Sequence, residues 1–558
     1  MKVLLINPPL EDFFFTPQRA YPLGILSLGT VLEQAGFEVK ILNCLEDYTK
    51  KSLPLPHGFA YLARYYKVNL SPFHLFSHYY RFGLSEAHIC AQVRDFKPDI
   101  VGISCNFSAY LDSAFAVAGL IKQIDSRIAI VAGGRAATFQ AETVLKSPDI
   151  DFVLRGEAEH SLLNLCRVLN TGKKKAIEGL CYKKNNGEAV LSSDIALIKD
   201  INALPQINRT LIDYKLYWYK GQISTSLLAS RGCGLRCAFC AITGPFRYRR
   251  AEGVLQEIED CYSLGIRHFN FEDDNMNLNP EFEKVLDGLI DRFRGEVKIS
   301  FMNGLLSLNL LGRLKTKLID AGLTHLDLSI ASSNKDLRKK INRKESVKDL
   351  SFLADYMSKR AIVPTVHYIV GFPDQKIAQA VRDIRFLATK PVILGPSIFY
   401  PVIESQMFER LNRDFLFVPQ NYSFFRSSVA SFDKHIGRDR IFLLFYAARI
   451  INYIKELCDE HVLQETCLSD VLKKNARYFR IKGEKLIFRE KPNRFLLGVV
   501  LLKLLLKEYN IYSIRKEASS KGFLYHIKKE EFVEPLVLKR VLSRLVVRGV
   551  GGKKLLFR

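Results

Sequence analysis

Apolar residues in the first 170 positions come in short unbroken runs separated by amphipathic stretches. The run VLLINPP stops at Pro8 and Pro9; residues 23–35 follow at helical spacing and close at Gly36, and residues 38–42 alternate as a strand. A Tyr- and Phe-rich insertion at about 45–85 has no clear period. Beyond it come the β-branched run 99–104, a helical stretch at 111–124, a strand at 128–132 ending in Gly133-Gly134, and a strand at 152–154 leading through Gly156-Glu157 into a helix. Continuous apolar strands alternating with helices predict a parallel sheet covered on both faces. Residues 1–170 are thus expected to form a doubly wound, Rossmann-like domain, with ligands beyond the carboxyl ends of its strands.

Residues 171–220 read as a connector, with a hairpin around Asn185-Asn186-Gly187. A second series occupies 221–420, with strands expected at 224–229, 267–271, 298–302, 325–330, 363–370 and 392–399 and helical patterns between them. Six such units predict a partial α/β, TIM-like barrel that works at the carboxyl ends of its strands. Residues 421–558 read as a basic, mainly helical region without an alternating strand series. The fold class is α/β. The most apolar stretches, 441–451 and 495–506, are interrupted by Arg449 and Lys503. They fall short of the roughly 20 apolar residues of a spanning helix, so no membrane crossing is expected.

At 558 residues, two to four domains are expected. With 48% hydrophobic and 25% charged residues, extensive disorder is not. The net charge of +24 is concentrated in residues 421–558, which hold 29 Lys and Arg against 14 Asp and Glu. That bias invites an anionic partner (membrane surface, nucleic acid or phosphorylated substrate), or is a solvated basic face. Lys473, Lys474, Arg477 and Arg480 interleave with Tyr478 and Phe479, a mixture suited to anionic lipid or to nucleic acid, the latter being the less favoured. Met1 runs directly into a strand with no secretory pattern, so a reducing cytoplasm is expected, peripheral to the membrane at most.

Most of the 11 cysteines are scattered, but Cys233, Cys237 and Cys240 form C-x3-C-x2-C in a loop after the first strand of the second series. In a reducing compartment this points to metal. Three thiolates can hold three irons of a [4Fe–4S] cube and leave the fourth open to a small chelator. Gly232 and Gly234 let the backbone curl, and Arg231 and Arg236 place positive charge near the thiolates. Structural zinc would need a fourth ligand, and none is near in sequence.

This trio, with Phe239 before its last cysteine, resembles the signature of the radical S-adenosylmethionine (SAM) superfamily. The resemblance implies that Cys233, Cys237 and Cys240 are the catalytic, cluster-binding residues. It also implies that SAM chelates the open iron and is cleaved reductively to a 5′-deoxyadenosyl radical, with electrons from a flavodoxin- or ferredoxin-type donor. Asp273 and Asp274, in Phe271-Glu272-Asp273-Asp274, stand where the family contacts the SAM amino group, and Gly371, in Ile369-Val370-Gly371-Phe372-Pro373, where backbone approaches adenine. Relatives commonly have Glu-Ser after the fourth strand; here Ala331-Ser332 leaves Ser332 as the candidate. Asn303-Gly304 is present, but Leu305-Leu306 replaces the Arg that often follows.

The N-terminal domain resembles the cobalamin-binding domain of one radical SAM class in Asn7–Pro9, Pro22-Leu23-Gly24, Gly102-Ile103-Ser104, Gly133-Gly134 and Gly156-Glu157. Ser104, Gly133 and Gly134 are the implied cobalamin contacts. The DxHxxG motif with its axial histidine is absent, and His160 reads as a surface or core residue. The implied activity is methylation or another radical transformation of an unactivated carbon, on a small or lipid-like substrate. The alternatives are a cobalamin-free enzyme, an RNA-modifying enzyme (for which Cys44, Cys90, Cys105 and Cys166 are too spread to hold a second cluster) and an inactive binding protein.

Overall fold

The computed structural model describes residues 1–173, 175–184, 186–242, 244–414, 421–432, 434–459, 473–517, 523–551 and 554–556. The N-terminal sheet has seven strands in the order Ala189–Val190, Leu180–Lys183, Phe152–Leu154, Ala129–Gly133, Ile100–Ser104, Lys2–Asn7, Glu38–Asn43. The last five are parallel, and the connector adds the antiparallel pair at the edge. Strand alternation divides the apolar residues between two cores. Val3, Leu5 and Val131 face helices Leu23–Gln34 and Glu159–Thr171. Leu4, Ile6 and Ile130 face Glu86–Phe96 and Leu111–Ile124. The doubly wound domain is therefore as expected. The expected turn joining the two edge strands includes Asn185, which lies outside the described residues; Gly187 N donates to Lys184 O at 2.8 Å.

The aperiodic insertion adds Tyr79–Phe82 and Lys50–Leu53 to Leu10–Asp12 in a small antiparallel sheet, and contributes the 3₁₀ helix His57–Arg64. It has no helical or strand period because its aromatics point several ways. Phe59 and Tyr66 join the large core shared with the second half of the chain, and the hydroxyl of Tyr61 donates to Val429 O at 2.5 Å.

All six expected strands of the second series form: Gln222–Leu227, His268–Phe271, Lys298–Ser300, Leu326–Ala331, Pro364–Val370 and Ile393–Ile398. Two parallel sheets of three, joined through bridges Ile299↔Leu323 and Leu305↔Leu328, make an open half-barrel. Helices Ala251–Ser263, Phe282–Phe293, Val347–Ser358 and Ile377–Ala388 cover its outside. Behind its last strand runs helix Arg438–Asp459, buried over most of its length.

Helices Arg438–Asp459, Arg494–Glu508 and Pro535–Leu542 are the longest elements among the described C-terminal residues. The expectation of no strand series there needs correction. Phe479–Lys482, Lys485–Phe488, Phe523–Lys529 and Tyr512–Lys516 form a four-stranded antiparallel sheet, and Val546–Arg548 pairs with Lys554–Leu556. The strands are short and Lys-rich on their outer side, so their alternation reads as charge. Among the described residues no helix is long and apolar enough to cross a membrane.

Candidate functional site

The cysteine loop leaves the carboxyl end of strand Gln222–Leu227. A two-residue antiparallel neck closes it, Ser230↔Tyr248 and Arg231↔Arg247. At the neck Gly232 has φ +81°, and a Cβ there would lie 2.7 Å from Pro245 O, so glycine is required. The loop is pinned on its outer side: Ala238 N donates to Ile341 O at 3.1 Å, and Asn342 Nδ2 to Arg236 O at 2.9 Å. Phe239 packs on Phe372, ring centroids 5.5 Å apart, which fixes the turn carrying Cys240.

All three thiols are free; Cys237 is buried, Cys233 and Cys240 half-buried. Burial raises the Cys233 and Cys240 thiols, and the neighbouring Asp274 adds to this. Arg343 is the cation in contact with the trio: its Nη1 lies 3.4 Å from Cys237 Sγ, and its other end pairs with the buried Glu345. Nothing in the sequence marks Arg343, which comes from the loop after the fourth strand. The two arginines expected near the thiolates do other work. Arg236 is exposed. Arg231 reaches back to the N-terminal domain, 2.6 Å from Glu159 and 3.4 Å from Glu157. Arg247 forks onto Glu157 at 2.7 and 2.8 Å. Burial opposes ionisation of Glu159, but Arg231 outweighs it and holds the carboxyl below its ordinary range. The neck of the cysteine loop is thus clamped to the end of the neighbouring sheet.

This clamp borders a cavity of about 400 Å³ between the carboxyl ends of the N-terminal strands and the cysteine loop. Ser104, Gly133 and Gly134 line one side; Gly232, Ile242 and Asp274 line the other. Gly24 and Gly133 form its floor, since a Cβ at Gly24 would meet nothing within 4 Å and one at Gly133 only Leu154 O at 4.0 Å. Gly134 is a turn glycine, with φ +114°, and a Cβ there would stand only 2.6 Å from Asn106 Oδ1. Asp274 is pushed up by burial and drawn back by Arg135, a cavity residue also missed in sequence.

Four of the eight expected cofactor contacts, Ser104, Gly133, Gly134 and Asp274, therefore meet in one cavity, and Phe239 supports the cysteine turn. The other three face elsewhere. Asp273 is buried and pushed up to about 6 by burial; it accepts from Ala229 N at 3.1 Å and from the Ser230 hydroxyl, holding the root of the loop. Ser332 is fully buried and donates to Asp383 at 2.8 Å. Gly371 donates its N–H to Gln375 at 2.7 Å and backs onto Ile441. His160 is exposed, as read.

Residues 227–387 match the model of the radical SAM superfamily, and residues 57–165 that of the B12 binding domain. The chain carries a radical SAM domain behind a B12-binding domain. It is 30% identical over 288 residues to an uncharacterized methyltransferase, PH0819, of Pyrococcus horikoshii, covering 50% of this chain and 54% of that protein. The matches span about half the length of the first curated relatives. The fold is similar to that of the radical SAM methyltransferase TsrM of Kitasatospora setae with cobalamin and a [4Fe–4S] cluster bound (TM-score 0.56, 16% identity, 74% of this chain and 78% of that one). It is also similar to that of the cobalamin-dependent radical enzyme OxsB (TM-score 0.58, 14% identity, 91% and 73%).

The residues present fit the cofactors these domains imply, a [4Fe–4S] cluster with SAM and cobalamin. Among the described residues no group of three His, Cys, Asp or Glu side chains is arranged to hold a single metal ion. Three soft thiolates, each ligating a different iron of a cube, do not need to converge on one point. A glycine floor beneath an interdomain cavity suits a flat macrocycle.

Proposed function

We propose that the protein is a radical SAM enzyme that uses cobalamin to transform an unactivated carbon of a small substrate, methylation being the favoured outcome. The observation that carries this reading is the shared cavity, whose walls are the glycine-lined ends of the B12-binding sheet and the neck of the cysteine loop. When bound, the cluster with SAM supplies hydrogen-atom abstraction and cobalamin supplies a one-carbon unit. The chain's own part is placement. Cys233, Cys237 and Cys240 hold the cluster, and Arg343 donates to Cys237 and offsets its charge. Asp273 fixes the loop root. The Arg231 and Arg247 pairs with Glu157 and Glu159 keep the two walls in register. Asp274, beside the cysteine loop, faces the cavity and is suited to accept hydrogen bonds from an ammonium.

Anaerobic reconstitution with iron, sulfide, hydroxocobalamin and SAM tests the reading. Retained corrin absorbance, with both 5′-deoxyadenosine and S-adenosylhomocysteine formed, is the expected result; deoxyadenosine alone points to a non-methylating radical reaction. Cys237→Ser should abolish deoxyadenosine formation, and wild-type yield from that variant would overturn the assignment. The single-electron donor is external, of flavodoxin or ferredoxin class, in a reducing cytoplasm.

The C-terminal sheet supports docking to anionic lipid. Lys482 pairs with Lys485, so two like charges stand opposite one another across the strands, with Arg515 on the same sheet. Such placement costs stability unless an anion faces it. Exposed Ile487 sits on the same sheet. Within the interleaved cluster of the sequence, Phe479 is buried in the sheet. Sedimentation with phosphatidylserine vesicles should pull the protein down and neutral vesicles should not; equal recovery in both supernatants removes the idea.

A further inference from the structure

The half-barrel has a second cavity, of about 360 Å³, inside its lumen. Its polarity follows from strand alternation: Ser224 is registered opposite His268, Ser226 opposite Asn270, and Asn270 opposite Ser300, so one face of three adjacent strands is hydroxyl, imidazole and amide. On the opposite wall Asp327 Oδ1 lies 2.9 Å from His367 Nε2 and 3.4 Å from His325 Nε2. The imidazoles hold the Asp327 carboxyl below its ordinary range against the opposing effect of burial.

Two features mark this as a binding site. His268 is 2% exposed, and its Nδ1 is engaged by Ser224 at 2.7 Å while its buried Nε2 has no partner. A buried polar atom left so is destabilising, and His268 lines the lumen in which a ligand would sit. The mouth, in contrast, is aromatic: Tyr219 lies against the His268 ring with centroids 4.3 Å apart, and Trp218 beside it is 57% exposed.

We propose that the lumen binds a polar ring bearing hydroxyl or amino hydrogens, of the sugar or amino-sugar class, as the recognised head of the substrate. An ionised carboxylate accepts such hydrogens, and aromatic faces at the mouth take the C–H faces of a ring. A hydrocarbon chain would desolvate the Asp327 carboxylate and the other polar side chains that line the lumen without offering them a hydrogen bond, and an anionic head would face Asp327. The lumen also lies against the reaction cavity. Glu272 lines that cavity, and its carboxylate accepts from the lumen residues Ser226 at 2.6 Å and Asn270 at 3.4 Å. A ring held in the lumen thus sits one side chain away from the reaction cavity. The word substrate rests on the proposed function; the binding itself does not.

Trp218 is the chain's sole tryptophan, so its emission reports on the lumen mouth. Glucosamine, glucose and octanoate are each titrated into the full-length protein. Saturable change with the two sugars and none with octanoate is expected. Tighter glucosamine assigns an amino group to Asp327, and equal affinity assigns hydroxyls. Asp327→Asn and His268→Gln should each weaken sugar binding about tenfold, with circular dichroism unchanged. A saturable octanoate response, no response to either sugar, or wild-type affinity in both folded variants would overturn the proposal. The assay needs neither cluster nor SAM, so its failure leaves the radical SAM reading standing, and loss of cluster chemistry leaves this site standing.

Discussion

Arg343 Nη1 lies 3.4 Å from Cys237 Sγ, and the guanidinium is held there by Glu345 and by the Ser329 hydroxyl at 3.2 Å. A hydrogen bond to a cluster thiolate stabilises the reduced, more negative state and raises the reduction potential. Arg343→Met should therefore lower the potential of the reconstituted cluster. A charged hydrogen bond worth about 1.5 kcal/mol corresponds to about 60 mV for one electron. A redox titration followed by EPR measures it, and an unchanged potential would show that the contact does not persist with the cluster bound.

Gly133 and Gly134 are adjacent in sequence and opposite in tolerance. Gly133→Val projects into open cavity, so corrin retention after desalting should fall while the melting temperature of the apoprotein stays near wild type. Gly134→Ala forces a side chain into a backbone conformation reserved for glycine and should cost about 1–3 kcal/mol. Differential scanning fluorimetry beside absorbance at the corrin bands separates the two effects.

Lys455 is buried in helix Arg438–Asp459, with its ammonium on the carbonyls of Leu387 and Arg548, each at 3.1 Å, and of Lys390. Burial pushes it down to about 7, whereas the unfolded chain keeps the ordinary value of 10.5. Between these values unfolding takes up a proton, so the lysine makes stability rise with pH, by at most about 1.4 kcal/mol per unit. Denaturant melts of wild type and Lys455→Met at pH 7 and pH 9 should diverge in that direction.

Arg209 and Glu257 form a fully buried pair at 2.7 Å that ties the connector to the first barrel helix, and Glu257 also takes Arg249. Glu257→Gln leaves a buried guanidinium without its counter-charge and should cost about 3–5 kcal/mol in denaturant unfolding. Arg209→Met should cost less, since Glu257 keeps Arg249.

The strands and the cysteine trio were legible because each depends on local pattern: apolar runs for the parallel strands, and donor spacing within one loop for the cluster. Ser104, Gly133 and Gly134 were legible as strand-end residues. Arg343 and Arg135 were not, since each reaches its site through tertiary approach, Arg343 from beyond the fourth strand to Cys237 and Arg135 from the end of the N-terminal sheet to the cavity. Arg231 misled for the same reason, being next to Gly232 and Cys233 in sequence yet satisfied by Glu159. Ser332 follows a register shift between Ser329 and Ala331, where Ala331 has φ +58°, and a motif read at regular spacing cannot anticipate which way the chain then turns.

The clamp of Arg231 and Arg247 onto Glu157 and Glu159 has a consequence for biogenesis. One wall of the cavity is complete when the first domain leaves the ribosome, but the facing wall is synthesised only later. A nascent chain halted before Arg247 would offer a corrin only an open ledge, so the two-walled pocket exists only once the neck has been translated and its arginines have met Glu157 and Glu159.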